Sequence, residues 1–99
     1  MQLGQIKENL LKRSTALREL GATGLYIFGS RAKGQARSNS DLDLIIDYDS
    51  NGKIPSLFKL VEFECAVSEE FGIPVHITTR RSIHPMMKSE IEKTAIRVF

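Results

Sequence analysis

The fold of this chain is decided by the stretch Gly29-Ser30-Arg31-Ala32-Lys33-Gly34-Gln35-Ala36-Arg37-Ser38-Asn39-Ser40-Asp41-Leu42-Asp43 and by the apolar runs beside it. The run Leu25-Tyr26-Ile27-Phe28 leads into the stretch, and Leu44-Ile45-Ile46 continues from its end. Both runs are short, rich in branched or aromatic residues and bounded by turn-forming residues. Each run therefore predicts a buried β-strand, with a basic, glycine-containing segment between them.

Two carboxylates lie at the start of the second predicted strand. Side chains alternate between the faces of a strand, so Asp41 and Asp43 point the same way with Cα atoms roughly 6 to 7 Å apart. Neighbouring carboxylates repel each other unless a cation lies between them or one takes up a proton. Mg²⁺ satisfies such a pair, because it accepts one or two carboxylates and fills its other positions with water and phosphates. The alternative is that both aspartates merely flank a strand and a surface turn.

The Gly29-Ser30 corner has the chemistry of a phosphate contact. Gly29 allows the backbone to approach a phosphate closely. The Ser30 hydroxyl, and the amides at the start of a short helix predicted for 31–36, can donate hydrogen bonds to phosphate oxygens. Arg31 and Lys33 add positive charge nearby. The corner and the aspartates together predict a site for a metal-bound phosphate compound.

Gly29-Ser30, ten further residues and then Asp41-Leu42-Asp43 resemble the signature of nucleotidyltransferases of the DNA polymerase beta superfamily. The small size and the fuller pattern are most similar to the minimal nucleotidyltransferase group. The resemblance implies an α/β (α+β) nucleotidyltransferase palm, in which a small mixed sheet of three or more strands is packed with helices. It implies that Asp41 and Asp43 are catalytic and bind Mg²⁺. It also implies a set of nucleotide-binding residues, namely Gly29, Ser30, Arg31 and Ser40.

A third strand departs from the family pattern. The resemblance implies a third carboxylate on the strand predicted for 73–79, and His76 stands at that position. Histidine is neutral or cationic near pH 7, and Mg²⁺ prefers oxygen ligands. His76 is therefore open to three interpretations: a strand histidine bonded to a neighbour, a site position without a catalytic role, or a metal ligand that changes the metal preference.

The composition sets wider bounds. Ninety-nine residues predict a single domain, 1–99, and a net charge of +2 indicates no particular partner, which makes nucleic acid an unlikely ligand. Cys65 is the sole cysteine, which excludes a disulfide within the chain and fits a cytoplasmic protein. There is no apolar signal region or membrane-length run, so no membrane association is expected. A homo-oligomer is left open.

The remaining segments predict three helices and the order α-β-α-β-α-β-α. The first helix runs to about Leu20, the second from Pro55 to Glu70, and the last from Pro85 to the end of the chain. Glu64 falls within the apolar arc of the second helix, where it either reaches solvent or pairs with a basic group. Asp47 lies roughly 13 Å along the strand from Asp43, too far to share an ion, and is interpreted as a turn residue.

Two functions of different class follow. In the first, the chain is a Mg²⁺-dependent nucleotidyltransferase that moves a nucleoside monophosphate, AMP from ATP, to an acceptor. The resemblance implies a helical HEPN-type toxin as a partner and as a possible acceptor. In the alternative, the chain is a weak or inactive antitoxin-type module that neutralises such a partner by contact. The intact Gly29-Ser30 and Asp41-Asp43 favour the enzyme, and His76 favours the alternative.

Overall fold

A computed structural model describes residues 2–37, 39–49 and 56–99. It contains four α-helices and four β-strands within these ranges. Two short 3₁₀ turns, Arg80–Ser82 and Pro85–Met87, lie between the third strand and the last helix. The elements in chain order are α1 (Leu3–Lys12), α2 (Ser14–Glu19), β1 (Ala22–Phe28), β2 (Leu42–Tyr48), α3 (Leu57–Phe71), β3 (Val75–Thr79), α4 (Lys88–Thr94) and β4 (Ile96–Arg97).

The four strands form one mixed sheet in the order β3-β2-β1-β4. β1 pairs with β2 and with β4 in the antiparallel sense, whereas β2 and β3 are parallel. A parallel pair needs a crossover connection, and α3 provides it between β2 and β3. The mixed sheet packed with helices is the architecture that the sequence predicts.

The sheet separates two apolar clusters. Leu42, Leu44 and Ile46 of β2 are fully buried beneath the first three helices. Ile45 faces the other way and packs with Ile83 and Ile91, which come from the segment around α4. Because side chains alternate along a strand, Asp43 lies on the same face as Ile45. The predicted site is therefore on the face that α4 partly covers.

Two predicted helices in the first half of the chain differ from the structure. The N-terminal helix is broken at Arg13, whose amide donates to the Leu10 carbonyl at 3.0 Å in a tightened turn. Leu17 is buried after the break, and the Arg13 side chain pairs with Glu70 of α3. The helix predicted for 31–36 is wrong, because this segment forms only hydrogen-bonded turns.

The C-terminal end also differs. The last helix ends at Thr94, and Ile96–Arg97 then pairs with β1 as β4. The Leu25 amide donates to the Phe99 carbonyl at 3.2 Å, and Val98 is buried. The prediction of a helix to the end of the chain was therefore wrong, because β1 offers an open edge that this segment completes. The third strand begins at Val75, and Pro55 lies outside the described residues.

In the part of the chain that the structure describes, no helix has the length and apolar character required to cross a membrane.

Candidate active site

The turn after β1 lies directly against Asp43. Phe28, the last residue of β1, pairs with Asp43 of β2, which brings Gly29 beside that residue. Gly29 has a φ of +76°, and a Cβ built on it would lie 2.7 Å from the Asp43 Oδ2 atom. Residues other than glycine rarely adopt that φ, and a Cβ at that distance would force the Asp43 carboxylate to move. Glycine is thus favoured here both by backbone conformation and by the close approach of a carboxylate.

Asp41, Asp43 and His76 meet at the start of two neighbouring strands. Asp43 is paired in register with His76 across the parallel β2–β3 ladder. The His76 Nε2 atom lies 3.0 Å from the Asp41 Oδ2 atom. Burial raises the pKa of Asp43, the nearby His76 lowers it, and the charge of Asp41 raises it further, with a net upward shift. A carboxylate that is disfavoured in its charged form marks a site suited to a cation.

Arg31 and Ser40 hold the ends of the loop between the two strands together. Arg31 is buried, and its Nη2 and Nε atoms donate to the Ser40 carbonyl oxygen at 2.7 and 3.2 Å. The Ser40 hydroxyl accepts a hydrogen bond from the Arg37 amide at 2.8 Å. Ser40 directly precedes Asp41, so these bonds fix the chain where it enters the site. The family resemblance implies that both residues bind nucleotide. Their role in positioning the loop depends on tertiary contacts, which cannot be read from the sequence.

The turn that begins at Gly29 is also tied to α4. The Lys33 Nζ atom donates to the Glu90 Oε1 atom at 2.6 Å, and this bond lowers the pKa of Glu90. Within the turn, the Lys33 amide donates to the Gly29 carbonyl at 3.2 Å and the Gln35 amide to the Ser30 carbonyl at 2.9 Å. Ser30 is therefore carried by a turn that is closed internally and anchored on the helix above it.

The carboxylates offer the oxygen donors that Mg²⁺ takes. No group of three or more His, Cys, Asp or Glu side chains is placed to hold a metal ion by itself among residues 2–37, 39–49 and 56–99. A pair of carboxylates completed by water and substrate phosphates is the usual arrangement for Mg²⁺. The donor set of Asp41 and Asp43 fits that arrangement, and the raised pKa of Asp43 supplies an electrostatic reason for it.

The chain belongs to the nucleotidyltransferase domain family, whose model matches residues 6–98. MJ1217 of Methanocaldococcus jannaschii, provisionally assigned as a protein adenylyltransferase, is 39% identical over 98 residues and covers 97% of each chain. The protein adenylyltransferase MntA of Thermococcus cleftensis is 33% identical over 98 residues, covering 98% of this chain and 92% of that protein.

Solved structures share the fold. One, provisionally assigned as a minimal nucleotidyltransferase, superposes with a TM-score of 0.76 at 26% identity and covers 97% of this chain and 95% of its own. A toxin-antitoxin structure with AMP-PNP contains a chain that superposes with a TM-score of 0.69 at 18% identity, over 94% of this chain and 70% of its own. The first match agrees with the resemblance to minimal nucleotidyltransferases that the sequence pattern predicts, and the second shows the shared fold.

Proposed function

We propose that this protein is a Mg²⁺-dependent nucleotidyltransferase that moves AMP from ATP to a hydroxyl group on a partner protein. The observation that carries the proposal is the close approach of Gly29 to Asp43, with Asp41 and His76 beside them. The family and the relatives named as protein adenylyltransferases support the reaction class. Such an arrangement would join a phosphate-binding corner to a pair of metal-binding carboxylates.

Each part of the site has a defined task in this proposal. Asp41 and Asp43 hold Mg²⁺, which neutralises charge on the transferring phosphate. The Ser30 hydroxyl and the Ser30 and Ala32 amides donate to phosphate oxygens, since the turn uses the amides of Lys33 and Gln35 for its own closure. The loop thereby orients the triphosphate against the carboxylates. Positioning and charge stabilisation account for most of the catalysis in phosphoryl transfer.

Arg31 and Ser40 serve the proposed reaction by fixing Asp41. The Arg31 guanidinium binds the Ser40 carbonyl in a buried position, which holds the backbone directly before Asp41. A metal site loses affinity when the residues that orient its ligands are removed. Direct nucleotide contact by Arg31 or Ser40 stays a prediction.

A second candidate function follows from the contact between His76 and Asp41. An imidazole 3.0 Å from a carboxylate oxygen competes with a metal ion for that oxygen. The chain would then be a weak or inactive enzyme that neutralises a partner by binding it. Replacing His76 with aspartate tests the point, because a third carboxylate should raise nucleotide transfer. Unchanged transfer would show that His76 does not occupy the position of the third carboxylate.

The partner is proposed to be a HEPN-type toxin encountered in the cytoplasm. One relative is named MntA, and a structure with the same fold is described as a toxin-antitoxin with AMP-PNP. In the enzyme the toxin is the acceptor of AMP, whereas in the alternative it is bound without modification.

The experiment that separates the two functions uses purified protein, ATP labelled at the α-phosphate, Mg²⁺ and the candidate toxin. The enzyme predicts labelled toxin that disappears with Asp41→Ala and with removal of Mg²⁺ by EDTA. Asp47→Ala is the matched control, because Asp47 lies near the other end of β2 and pairs with Arg80. Toxin neutralisation that survives Asp41→Ala, without labelling in the unmodified protein, would instead establish the binding module.

A further inference from the structure

A groove runs along the outer edge of the sheet beside the candidate site. Its volume is about 540 Å³, and it lies between α3 and the edge strand β3. His76, the residue that contacts Asp41, is one of the residues that line the groove. The residues that line its walls come from both elements and include Glu64, Cys65, Ser68, Glu69, Val75 and His76.

The groove lies on the side of the carboxylates opposite the phosphate-binding corner. Gly29 follows β1, which pairs with one side of β2, whereas His76 belongs to β3 on the other side. In phosphoryl transfer the attacking and leaving oxygens are roughly in line across the phosphorus. If pyrophosphate leaves toward Gly29-Ser30, the attacking hydroxyl must arrive from the β3 side. The groove is lined by residues of β3 and therefore lies on that side of the carboxylates.

The backbone edge within the groove is already occupied. The Glu64 Oε1 atom accepts a hydrogen bond from the Ile77 amide at 3.0 Å. Because β3 is the outermost strand of the sheet on this side in the part of the chain that the structure describes, this bond caps an amide of the outer edge. A bound segment would therefore be recognised by side chains of α3 rather than by adding a strand to the sheet at this point.

An apolar surface of α3 continues the groove. Leu57 and Phe58 are 77% and 70% exposed, and Val61 is 46% exposed. Residues at spacings of four and seven along a helix share one face, which places Leu57 and Val61 in line with Glu64, Cys65 and Ser68. A continuous row of side chains thus leads from His76 toward the start of α3.

The charge of α3 indicates what this surface binds. The helix carries four glutamates, at 62, 64, 69 and 70, and one lysine, Lys59, while the whole chain has a net charge of +2. Glu64 is engaged with the Ile77 amide and Glu70 with Arg13. Glu69 is exposed on the wall of the groove. An acidic groove repels nucleic acid and favours a basic polypeptide.

We propose that this groove binds a polypeptide segment of the acceptor, with basic residues against Glu69, an apolar residue against Leu57 and Val61, and a hydroxyl side chain beside His76. The inference rests on the proposed function and specifies its acceptor. The hydroxyl oxygen forms a bond to the α-phosphorus of ATP, and the bond from that phosphorus to the oxygen bridging to the β-phosphate breaks. Pyrophosphate leaves with the bridging oxygen, and the hydroxyl proton passes to solvent.

The test uses two fluorescent peptides that share a central tyrosine and a leucine anchor, with lysines around the tyrosine in one and glutamates in the other. Fluorescence anisotropy measures binding to the full chain, and ATP labelled at the α-phosphate measures transfer. We expect the lysine peptide to bind and to be labelled about tenfold better than the glutamate peptide. Glu69→Lys should reduce that preference about tenfold, whereas the matched control Glu19→Lys, the same charge change on α2, should leave it unchanged.

A second variant, Leu57→Ser with Val61→Ser, should weaken binding of both peptides without changing binding of AMP-PNP and Mg²⁺, which is measured by calorimetry. Equal binding and labelling of the two peptides, or equal effects of Glu69→Lys and Glu19→Lys, would overturn the proposal that the groove binds the acceptor. Nucleotide binding would in that case still support the proposed function. Absence of both nucleotide binding and labelling in the unmodified protein would overturn the proposed function, and the acceptor role of the groove with it.

Discussion

β2 carries one carboxylate near each end, Asp43 and Asp47, on the same face of the sheet. The two carboxylates differ in which groups surround their negative charge. Asp47, at the far end, pairs with the Arg80 guanidinium at 2.5 Å, and that guanidinium lies 4.8 Å from the centre of the Tyr26 ring. Asp43, at the near end, faces Asp41, and its pKa is raised by burial. A carboxylate neutralised by its own protein stabilises the fold, whereas one placed against another carboxylate is available to an added cation.

The strongest test of this comparison replaces each carboxylate by its amide. Asp43→Asn should reduce nucleotide transfer by about a hundredfold or more, the size of effect found when one preorganised charge contact is removed from an active site. Asp47→Asn should leave transfer within about threefold, because its partner is Arg80 rather than substrate. The measurement is kcat/KM for transfer from ATP labelled at the α-phosphate. A similar decrease of kcat/KM in both variants would contradict the claim that only the Asp43 end of β2 takes part in the reaction.

The next test acts on the glycine that covers Asp43. Gly29→Ala introduces a Cβ 2.7 Å from the Asp43 carboxylate at a φ of +76°. Gly34→Ala is the matched control, because its φ is +72° but nothing lies within 4 Å of the new Cβ. Both should lower the free energy of unfolding by about 1 kcal/mol through backbone strain. Gly29→Ala should in addition displace Asp43 and weaken binding of AMP-PNP with Mg²⁺, so equal nucleotide affinity in both variants would contradict the proposed site.

A smaller effect is expected at the Asp47 end. A double-mutant cycle of Asp47→Asn and Arg80→Gln should give a coupling free energy of about 1 kcal/mol in urea unfolding. The value is at the upper end for an ion pair of this kind, because the side chains are 25% and 36% exposed and Arg80 also stacks on Tyr26. Zero coupling would show that the pair does not stabilise the fold and would weaken the contrast with Asp43.

The smallest effect is the pH dependence that Asp43 contributes. Its pKa is raised in the folded state above the ordinary value of 3.8, so its favourable contribution is present below that value and is lost as the pH rises through the raised pKa. Asp43→Asn has no ionisable group at this position, so its stability does not fall as the pH rises through the pKa of Asp43. The variant should therefore gain stability relative to the unmodified protein as the pH increases toward neutrality, by a fraction of a kcal/mol.

Urea unfolding at a series of pH values without divalent cations measures this difference. Added Mg²⁺ should remove the advantage of the variant, because the cation stabilises the native carboxylate pair. A constant difference across pH would show that Asp43 is not disfavoured in its charged form.

The sequence predicted the near end of β2 well, because the signals there are local. Alternation along a strand places Asp41 and Asp43 on one face, and a glycine-serine pair after an apolar run marks a turn that a phosphate can approach. The family match and the mixed sheet agree with that interpretation. The position of His76 beside Asp43 also follows, once its strand is aligned with the carboxylates.

The sequence did not predict features that depend on distant contacts. The burial of Arg31 against the Ser40 carbonyl follows from how the loop closes, whereas its expected contact with phosphate stays a prediction. The interpretation of Asp47 as a turn residue was wrong, because Asp47 lies within β2 and pairs with Arg80, 33 positions along the chain. The two-residue strand β4 is too short for an alternating pattern to distinguish it from the end of a helix. Pairing with β1 decides its conformation.

The central claim is that the Asp41 and Asp43 end of the strand, and not the Asp47 end, binds the metal and the nucleotide. The far end provides a direct competitor, a pocket of about 420 Å³ whose lining includes Asp47 and the basic residues Arg80, Arg81 and Lys88. A crystal grown with Mn²⁺ and AMP-PNP would locate the metal by anomalous diffraction. We predict Mn²⁺ bound to oxygens of both Asp41 and Asp43, with the triphosphate against Ser30. Nucleotide in the basic pocket, with no metal at the carboxylates, would contradict the account.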